Sequence, residues 1–345
     1  MTKENWQPEI LAGKLNKLKL RSKLIASIRE FFTAQDFLEV ETPILQTSPG
    51  AEIHTHAFST TLHGAFGENP RELYLNTSPE FAMKKLLVAG LPKIFQITKA
   101  FRNQEFSPFH QPEFTMLEWY RAGASYLEIM QDCEELIKHA ARICDVREIE
   151  CLGHKPDLFK TWERLSLQNC FLKYCDLDLE SCLQDRQKFA SKALRIGVNI
   201  SLADAWDDIF FKVFLDKIEP YLGIKTPTII YDYPIEMAAL SRPKPLAPQW
   251  AERFEIYIGG LELANAFGEL TDPKIQAQRF QEDGLKRLKL YGQKHPIDTD
   301  FLAALEYGMP QSAGIALGID RLALLFTNAS CLKEVLWLPI EEKSC

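Results

Sequence analysis

Along residues 14–35 the apolar positions Leu18, Ile25, Ile28 and Phe32 recur at helical spacing with Lys and Arg on the other side, which predicts an amphipathic helix. The period then changes. Phe37, Leu38, Val40, Ile44 and Leu45 read as a strand interrupted by Pro43, and because proline cannot donate to a ladder this strand is predicted at a sheet edge, where it can serve as a subunit contact. Residues 72–90 predict a short strand, a turn at Ser78-Pro79 and a helix ended by Gly90. Two β runs, residues 93–103 and 113–121, are separated by the polar segment Gln104–Pro112 and read as a hairpin with a long, mobile loop. Residues 125–220 are mostly helical in pattern and offer no recognisable chemistry. Residues 253–270 return to β, and residues 314–326 read as a strand entering a helix. Strands and helices are segregated rather than alternating in βαβ units, so the expected fold is α+β: an antiparallel β-sheet flanked by helices, not a Rossmann fold. A single domain is expected over residues 1–345, with a helical insertion at about 125–220.

Composition narrows the class. The chain has 345 residues, 46% of them hydrophobic, enough for one large core. Its first residues are polar and include Trp6 and Pro8, without the apolar stretch of a signal peptide, and no run is long enough to span a bilayer; the expectation is a cytoplasmic protein without membrane association. Eight cysteines, Cys133, Cys144, Cys151, Cys170, Cys175, Cys182, Cys331 and Cys345, contain no C-x-x-C pair and read as reduced thiols. A net charge of −7 argues against a partner bound by neutralising phosphates. Neither G-x-G-x-x-G nor G-x-x-x-x-G-K-[ST] occurs, so a nucleotide would be held without a Gly-rich phosphate loop.

Some residue patterns nevertheless carry chemistry. With a hairpin turn centred on Ile258-Gly259, Glu255 and Glu262 fall opposite one another with both carboxylates on one face, a repulsive pair that a divalent cation would relieve. In the run Phe114–Arg121, alternation places Phe114, Met116, Glu118 and Tyr120 on one face. Glu118 there is either a receptor for an ammonium group or a core acid satisfied by Arg102 or Arg121. Arg102 ends one strand of the hairpin and Arg321 begins the last helix, positions from which a guanidinium fork can hold phosphate oxygens or make a structural ion pair.

The segments FLEVETPIL, FRNQEFSPFHQPEFTMLEWY and GIALGIDRLALLF resemble, in order and spacing, the three motifs of class II aminoacyl-tRNA synthetases. The H-x-P-E-F-T-M-L-E-W-Y and G-x-E-L-A-N-x-F-x-E-L-T-D segments resemble the lysyl subtype, and the similarity spans roughly residues 15 to 340. The first motif begins near Phe37, which leaves no room before it for the anticodon-binding OB domain of a lysyl-tRNA synthetase. The chain is therefore similar to the stand-alone elongation factor P (R)-β-lysine ligase family. Ala316, where aminoacylating lysyl enzymes usually have Gly, points the same way.

This resemblance implies an ATP-dependent, AMP-forming ligase that uses Mg²⁺ and passes lysine or (R)-β-lysine to elongation factor P, without tRNA, as a homodimer. It implies catalytic roles for Arg102 and Arg321. For ATP it implies Arg102, Asn103, Gln104, His110, Gln111, Phe114, Glu262, Leu263, Asn265, Gly318 and Arg321, with Phe114 stacked on adenine and Glu255 and Glu262 holding Mg²⁺. The substrate's amino groups would meet Ser78 and Glu80 at one end and Glu118, Tyr120 and Glu269 at the other, with Ala316 alongside. Gln104, Gln111, Ala266 and Gly268 depart from the residues common in the family, and the last two are expected to border the amino-acid pocket. An aspartate-ammonia type of ligase is disfavoured, because its anionic substrate would face Glu80, Glu118 and Glu269.

Overall fold

The computed structural model describes residues 5–50 and 52–340. Cys345 and the first four residues therefore lie outside the described residues. The central sheet has nine strands. Its order is β1 (Leu38–Glu39), β5 (Lys93–Phe101), β6 (Glu113–Ala122), β12 (Ser312–Gly318), β11 (Leu261–Gly268), β10 (Ala247–Ile258), β8 (Thr228–Pro234) and β7 (Glu163–Ser166), with β9 (Pro243–Lys244) on β10. The middle is antiparallel, as the hairpin signals predict. Both edges are not: β1 runs parallel to β5 and β7 parallel to β8, each reached through a long connection that no local pattern reveals. The strand expected around Pro43 is divided, with β1 on one side and β2 (Leu45–Gln46) on the other. The latter belongs to a small second sheet with β4 (Arg71–Leu75) and β3 (Ser59–Leu62).

One face of the central sheet is covered by α1 (Pro8–Thr33), α3 (Tyr126–Ile143) and α9 (Ile319–Thr327), around a core that includes Leu24, Phe32, Phe95, Trp119, Ile137 and Leu322. Helix α1 starts before the expected residue 14 because Pro8 occupies the first turn, where its missing N–H is not needed. Its basic residues are not all on the outer side. Arg21 is buried and donates to Asp320 Oδ1 at 2.6 Å and Thr115 Oγ1 at 2.8 Å, while Lys14 donates to the Leu336 carbonyl at 2.7 Å.

The opposite face bears the cleft, closed at one end by α2 (Glu80–Val88), α7 (Pro273–Tyr291) and α8 (Thr299–Gly308). The expected helical insertion over 125–220 resolves into two parts. Helix α3 belongs to the main core and β7 to the central sheet, whereas α4 (Leu167–Cys175), α5 (Arg186–Arg195) and α6 (Trp206–Lys217) form a second core against Ile230, Tyr233, Trp250 and Tyr257. The described cysteines are free, and burial raises the thiol pKa of Cys133 and Cys170, which keeps them as inert core residues. Among the described residues no helix is long and apolar enough to cross a membrane.

Candidate active site

Strand pairing lays a row of side chains across the sheet: Glu255 on β10, Asn265 on β11, Ala316 on β12, Glu118 on β6 and Gln96 on β5 are successive partners. Asn265 and Ala316 of this row line a cleft of about 300 Å³, together with Ser78, Glu80, Arg102, His110, Gln111, Phe114, Glu262, Leu263, Gly318 and Arg321, while their buried row neighbours Glu255, Glu118 and Gln96 lie off its lining. Most of the expected site residues thus converge in one place.

The hairpin that presents the acids differs from its expectation. Its turn is Gly259-Gly260, both at positive φ, which a two-residue turn between twisted strands requires. Glu255 pairs with Asn265 and Glu262 pairs with Tyr257, so the two glutamates are not directly opposite. A bulge in which Leu263 is unpaired shifts the register between Ile256 and Tyr257. That extra residue lets Glu262 and Asn265, three apart, share the cleft face that an unbroken strand would have denied to one of them. The Glu255 carboxylate accepts from Arg253 Nη2 at 2.6 Å and from the Tyr257 hydroxyl at 2.7 Å. Glu262 has no cation within salt-bridge distance among the described residues, and burial together with Glu255 raises its pKa, opposed by Arg321, Arg253 and Arg102. A carboxylate pair with one member so exposed to its neighbour's charge fits a hard divalent cation.

Elsewhere along the cleft, the Arg102 guanidinium lies 5.3 Å from the centre of the Phe114 ring, and its buried Nε has no partner among the described residues. Arg321, in the first turn of α9, donates to the Glu262 carbonyl at 2.7 Å and to His110 Nε2 at 2.7 Å. His110 must accept at Nε2, so its proton sits on Nδ1 and is donated to Ser107 Oγ at 2.7 Å. Burial, Arg321 and Arg102 push its pKa down to about 4, which keeps it neutral. Gln111 is buried with both amide atoms unpartnered among the described residues, and so is Asn265 Oδ1. Orphaned polar groups of this kind, gathered in one cleft, are what a polar ligand satisfies. Asn103 and Gln104 do not line the cleft. The Asn103 side chain accepts from the Gln104 backbone N–H at 2.9 Å and steadies Gln104 at φ 66°, leaving Gln104 exposed while Glu105 takes its place on the lining.

The acids expected at two ends of the substrate form a single cluster instead. Ser78 donates to Glu118 Oε1 at 2.6 Å and Tyr120 to Oε2 at 2.7 Å, while Glu80 and Glu269 are joined through Lys84. Glu118 is thus satisfied by hydroxyls and by neither Arg102 nor Arg121; the latter faces away and pairs with Asp132 at 2.8 Å. Burial and the nearby Glu80 push the Glu118 pKa up to about 8, with the two hydroxyls opposing. A Cβ at Gly314 would lie 2.2 Å from the Tyr120 ring and 2.9 Å from Glu269 Oε1, so glycine is what lets both approach β12.

Ala266 and Gly268 do not border this pocket. Asn265 and Phe267 line the cleft, while the alternating Ala266 is packed in the main core and Gly268 lies against Glu252, whose carboxylate accepts from Arg242 Nε at 2.6 Å. Residues that sequence reasoning passed over include Lys84, Arg253 and Asp320. Asp320 accepts from Arg21 and, at 2.8 Å, from the Thr115 N–H, tying α1 and β6 to the helix turn that carries Arg321.

Comparison with known proteins agrees with this geometry. The family model for class II tRNA synthetases (D, K and N) matches residues 12–342. The elongation factor P--(R)-beta-lysine ligase of Pectobacterium carotovorum is 38% identical over 98% of this chain and 98% of its own length. That of Vibrio cholerae is 37% identical over 98% of this chain and 99% of its own. The lysine--tRNA ligase of Pelotomaculum thermopropionicum is 39% identical over 93% of this chain and 62% of its own.

Proposed function

The chain belongs to the class II (D, K and N) tRNA synthetase family and, within it, to the elongation factor P–(R)-β-lysine ligases, and from this premise we propose that it activates lysine, preferentially (R)-β-lysine, as an adenylate and transfers it to a lysine ε-amine of elongation factor P in the cytoplasm. The observation that supports this most directly is the cleft lined by Arg102, Arg321, Glu262 and Glu80, to which Glu255 is joined by pairing with Asn265, Glu118 through Ser78 and Glu269 through Lys84. In the first step the substrate carboxylate attacks the α-phosphorus of ATP and pyrophosphate leaves. Arg102 and Arg321 stabilise the phosphate charge, Phe114 stacks on adenine, and Gln111, Asn265 and the Gly318 end of α9 offer polar contacts. Glu262, with Glu255 beside it, would hold Mg²⁺, which supplies charge neutralisation at the phosphates. In the second step the acceptor amine attacks the mixed anhydride and AMP leaves, with no side chain acting as nucleophile. Glu118, Glu80 and Glu269 receive the substrate's ammonium groups.

The test is incubation with ATP, Mg²⁺, either elongation factor P or tRNA, and either α- or β-lysine, with products weighed by mass spectrometry. Lysylated elongation factor P is expected. Charged tRNA in its place would favour the second reading, lysyl-tRNA formation, which the tRNA ligase relative keeps in view.

Ala316 sits between Asn265 and Glu118 in the floor of the cleft. In β-lysine the amino group is one carbon further from the carboxylate, so a methyl here would crowd the amino group of α-lysine. Ala316→Gly is expected to raise use of α-lysine relative to β-lysine by about 10- to 200-fold, the worth of one methyl in a fitted pocket. The ratio of adenylation efficiencies measures it, and an unmoved ratio removes Ala316 as the discriminator.

Leu38 on the edge strand β1, Leu45 in β2 and Ile44 just before it are exposed around Pro43. An uncovered apolar edge of this kind supports a two-fold dimer through this segment. Sedimentation at micromolar concentration is expected to show a dimer that Leu45→Asp weakens; a monomeric wild type would exclude it.

A further inference from the structure

Lys84 is a fully buried cation that no step above uses. It projects from α2, its side chain 1% exposed, and reaches Glu269 Oε2 at 2.5 Å while also contacting Glu80, one turn earlier on its own helix. Its ammonium lies over the Phe301 ring of α8, 5.9 Å from the ring centre. An ammonium so deeply desolvated survives only where acids hold it, and although burial pulls its pKa down, Glu269 and Glu80 more than offset this and leave it raised. The cation is therefore a permanent part of the acid cluster beside the cleft. Glu118 lies in the same cluster, bound by Ser78 and Tyr120 and, among the described residues, by no cation.

Resting on the ligase reading above, we propose that Lys84 is a specificity-determining and positioning residue for the substrate's amino groups: it ties Glu80 of α2 to Glu269 at the end of β11 and sets the charge of the pocket to match two ammonium groups. Three carboxylates against one built-in ammonium leave two negative charges, the number that a diamino acid neutralises. Without Lys84 the acids would outnumber the substrate's cations by one, and a buried surplus charge is strongly disfavoured. An amino acid with a single ammonium would leave the same kind of surplus, so the count discriminates by charge rather than by shape. The other ionisable groups facing this cluster are Tyr120, which donates to Glu118, and Arg242, whose field reaches Glu269 from the far side. Burial and Glu80 raise the proton affinity of Glu118, and an ammonium beside it favours the carboxylate form.

The test compares Lys84→Met, Glu269→Gln and the double variant in pyrophosphate exchange with lysine, (R)-β-lysine and the monoammonium analogue 6-aminohexanoate. Lys84→Met is expected to raise KM for the diamino substrate about tenfold or more while KM for ATP changes by less than about twofold. Glu269→Gln leaves one unmatched acid and is expected to shift preference toward 6-aminohexanoate. Adding Lys84→Met to it restores two, so the double variant is expected to use lysine better than Glu269→Gln alone. A merely structural lysine predicts the opposite order, and a double variant worse than Glu269→Gln overturns the proposal. If the double variant does not fold, the KM split of Lys84→Met decides alone; if Lys84→Met does not fold, the order of the other two decides. Wild-type protein that activates neither diamino acid overturns the ligase reading and this proposal together, whereas active wild type with unmoved variants overturns only the role of Lys84.

Discussion

Arg321→Ala is expected to lower kcat/KM for ATP by roughly 10²- to 10³-fold, about 2.7 to 4 kcal/mol, the loss typical of removing one preorganised electrostatic donor. The alternative, an arginine kept for a structural ion pair, predicts little kinetic effect and a loss of stability. The contacts separate the two. Arg321 makes no salt bridge among the described residues; its partners are the carbonyls of Glu262 and Phe109 and the neutral ring of His110. Its removal therefore breaks no ion pair; it withdraws a positive charge that opposes the raised pKa of buried Glu262, so only a small loss in melting temperature is expected beside the large kinetic effect. Its placement in the first turn of α9 adds the favourable field of a helix N-terminus to the guanidinium. His110, held at Nε2 by Arg321, gains proton affinity when that cation is lost, so the variant's ring is expected to titrate above the wild type's value of about 4. Pyrophosphate exchange gives the first quantity and NMR titration of His110 the second. An exchange rate near wild type would return Arg321 to a structural role.

What was readable in advance followed from periodicity and from motif spacing. Alternation along β6 placed Glu118 and Tyr120 together on the cleft face with Leu117 and Trp119 in the core behind them, because a strand buried on both sides still obeys a period of two. The bulge at Leu263 was not readable. It is a one-residue insertion in an apolar run; separately, centring the turn on Ile258-Gly259, one residue before the Gly259-Gly260 turn, put Glu255 opposite Glu262. Ala266, expected beside the amino-acid pocket from the family resemblance, lies in the main core instead. Lys84 was hidden for a different reason: Glu80-x-x-x-Lys84 has the spacing of an ordinary exposed pair on a helix, and only the third partner, Glu269, distant in sequence, reveals it as buried. The parallel edge pairs and the division of residues 125–220 between two cores likewise depend on long-range contacts with no local signature.

Glu262→Gln is expected to reduce adenylate formation by more than the roughly 10- to 100-fold that follows loss of a group merely supporting a metal ligand, because it removes a ligand itself. The same substitution should stabilise the unliganded fold. In the folded chain the Glu262 pKa is raised by burial and by Glu255, so the stability associated with its protonated form is present below the ordinary carboxylate range and is lost as pH rises through the raised folded value. Glu118 and Glu269, both also raised by burial, add losses of the same sign. Unliganded wild type is therefore expected to melt at a lower temperature at about pH 8 than at about pH 5.5, with Glu262→Gln recovering part of the difference. Gln keeps the size of the side chain and lacks the charge, so packing around the bulge is preserved while the repulsion with Glu255 disappears. Mg²⁺ with ATP should reverse the order, stabilising wild type more than the variant, because only the wild type offers both carboxylates. Thermal denaturation at the two pH values, with and without Mg²⁺ and ATP, and pyrophosphate exchange in parallel make the comparison. A variant that exchanges at the wild-type rate, or gains as much as wild type from Mg²⁺ and ATP, would show that the cation is held elsewhere in the cleft.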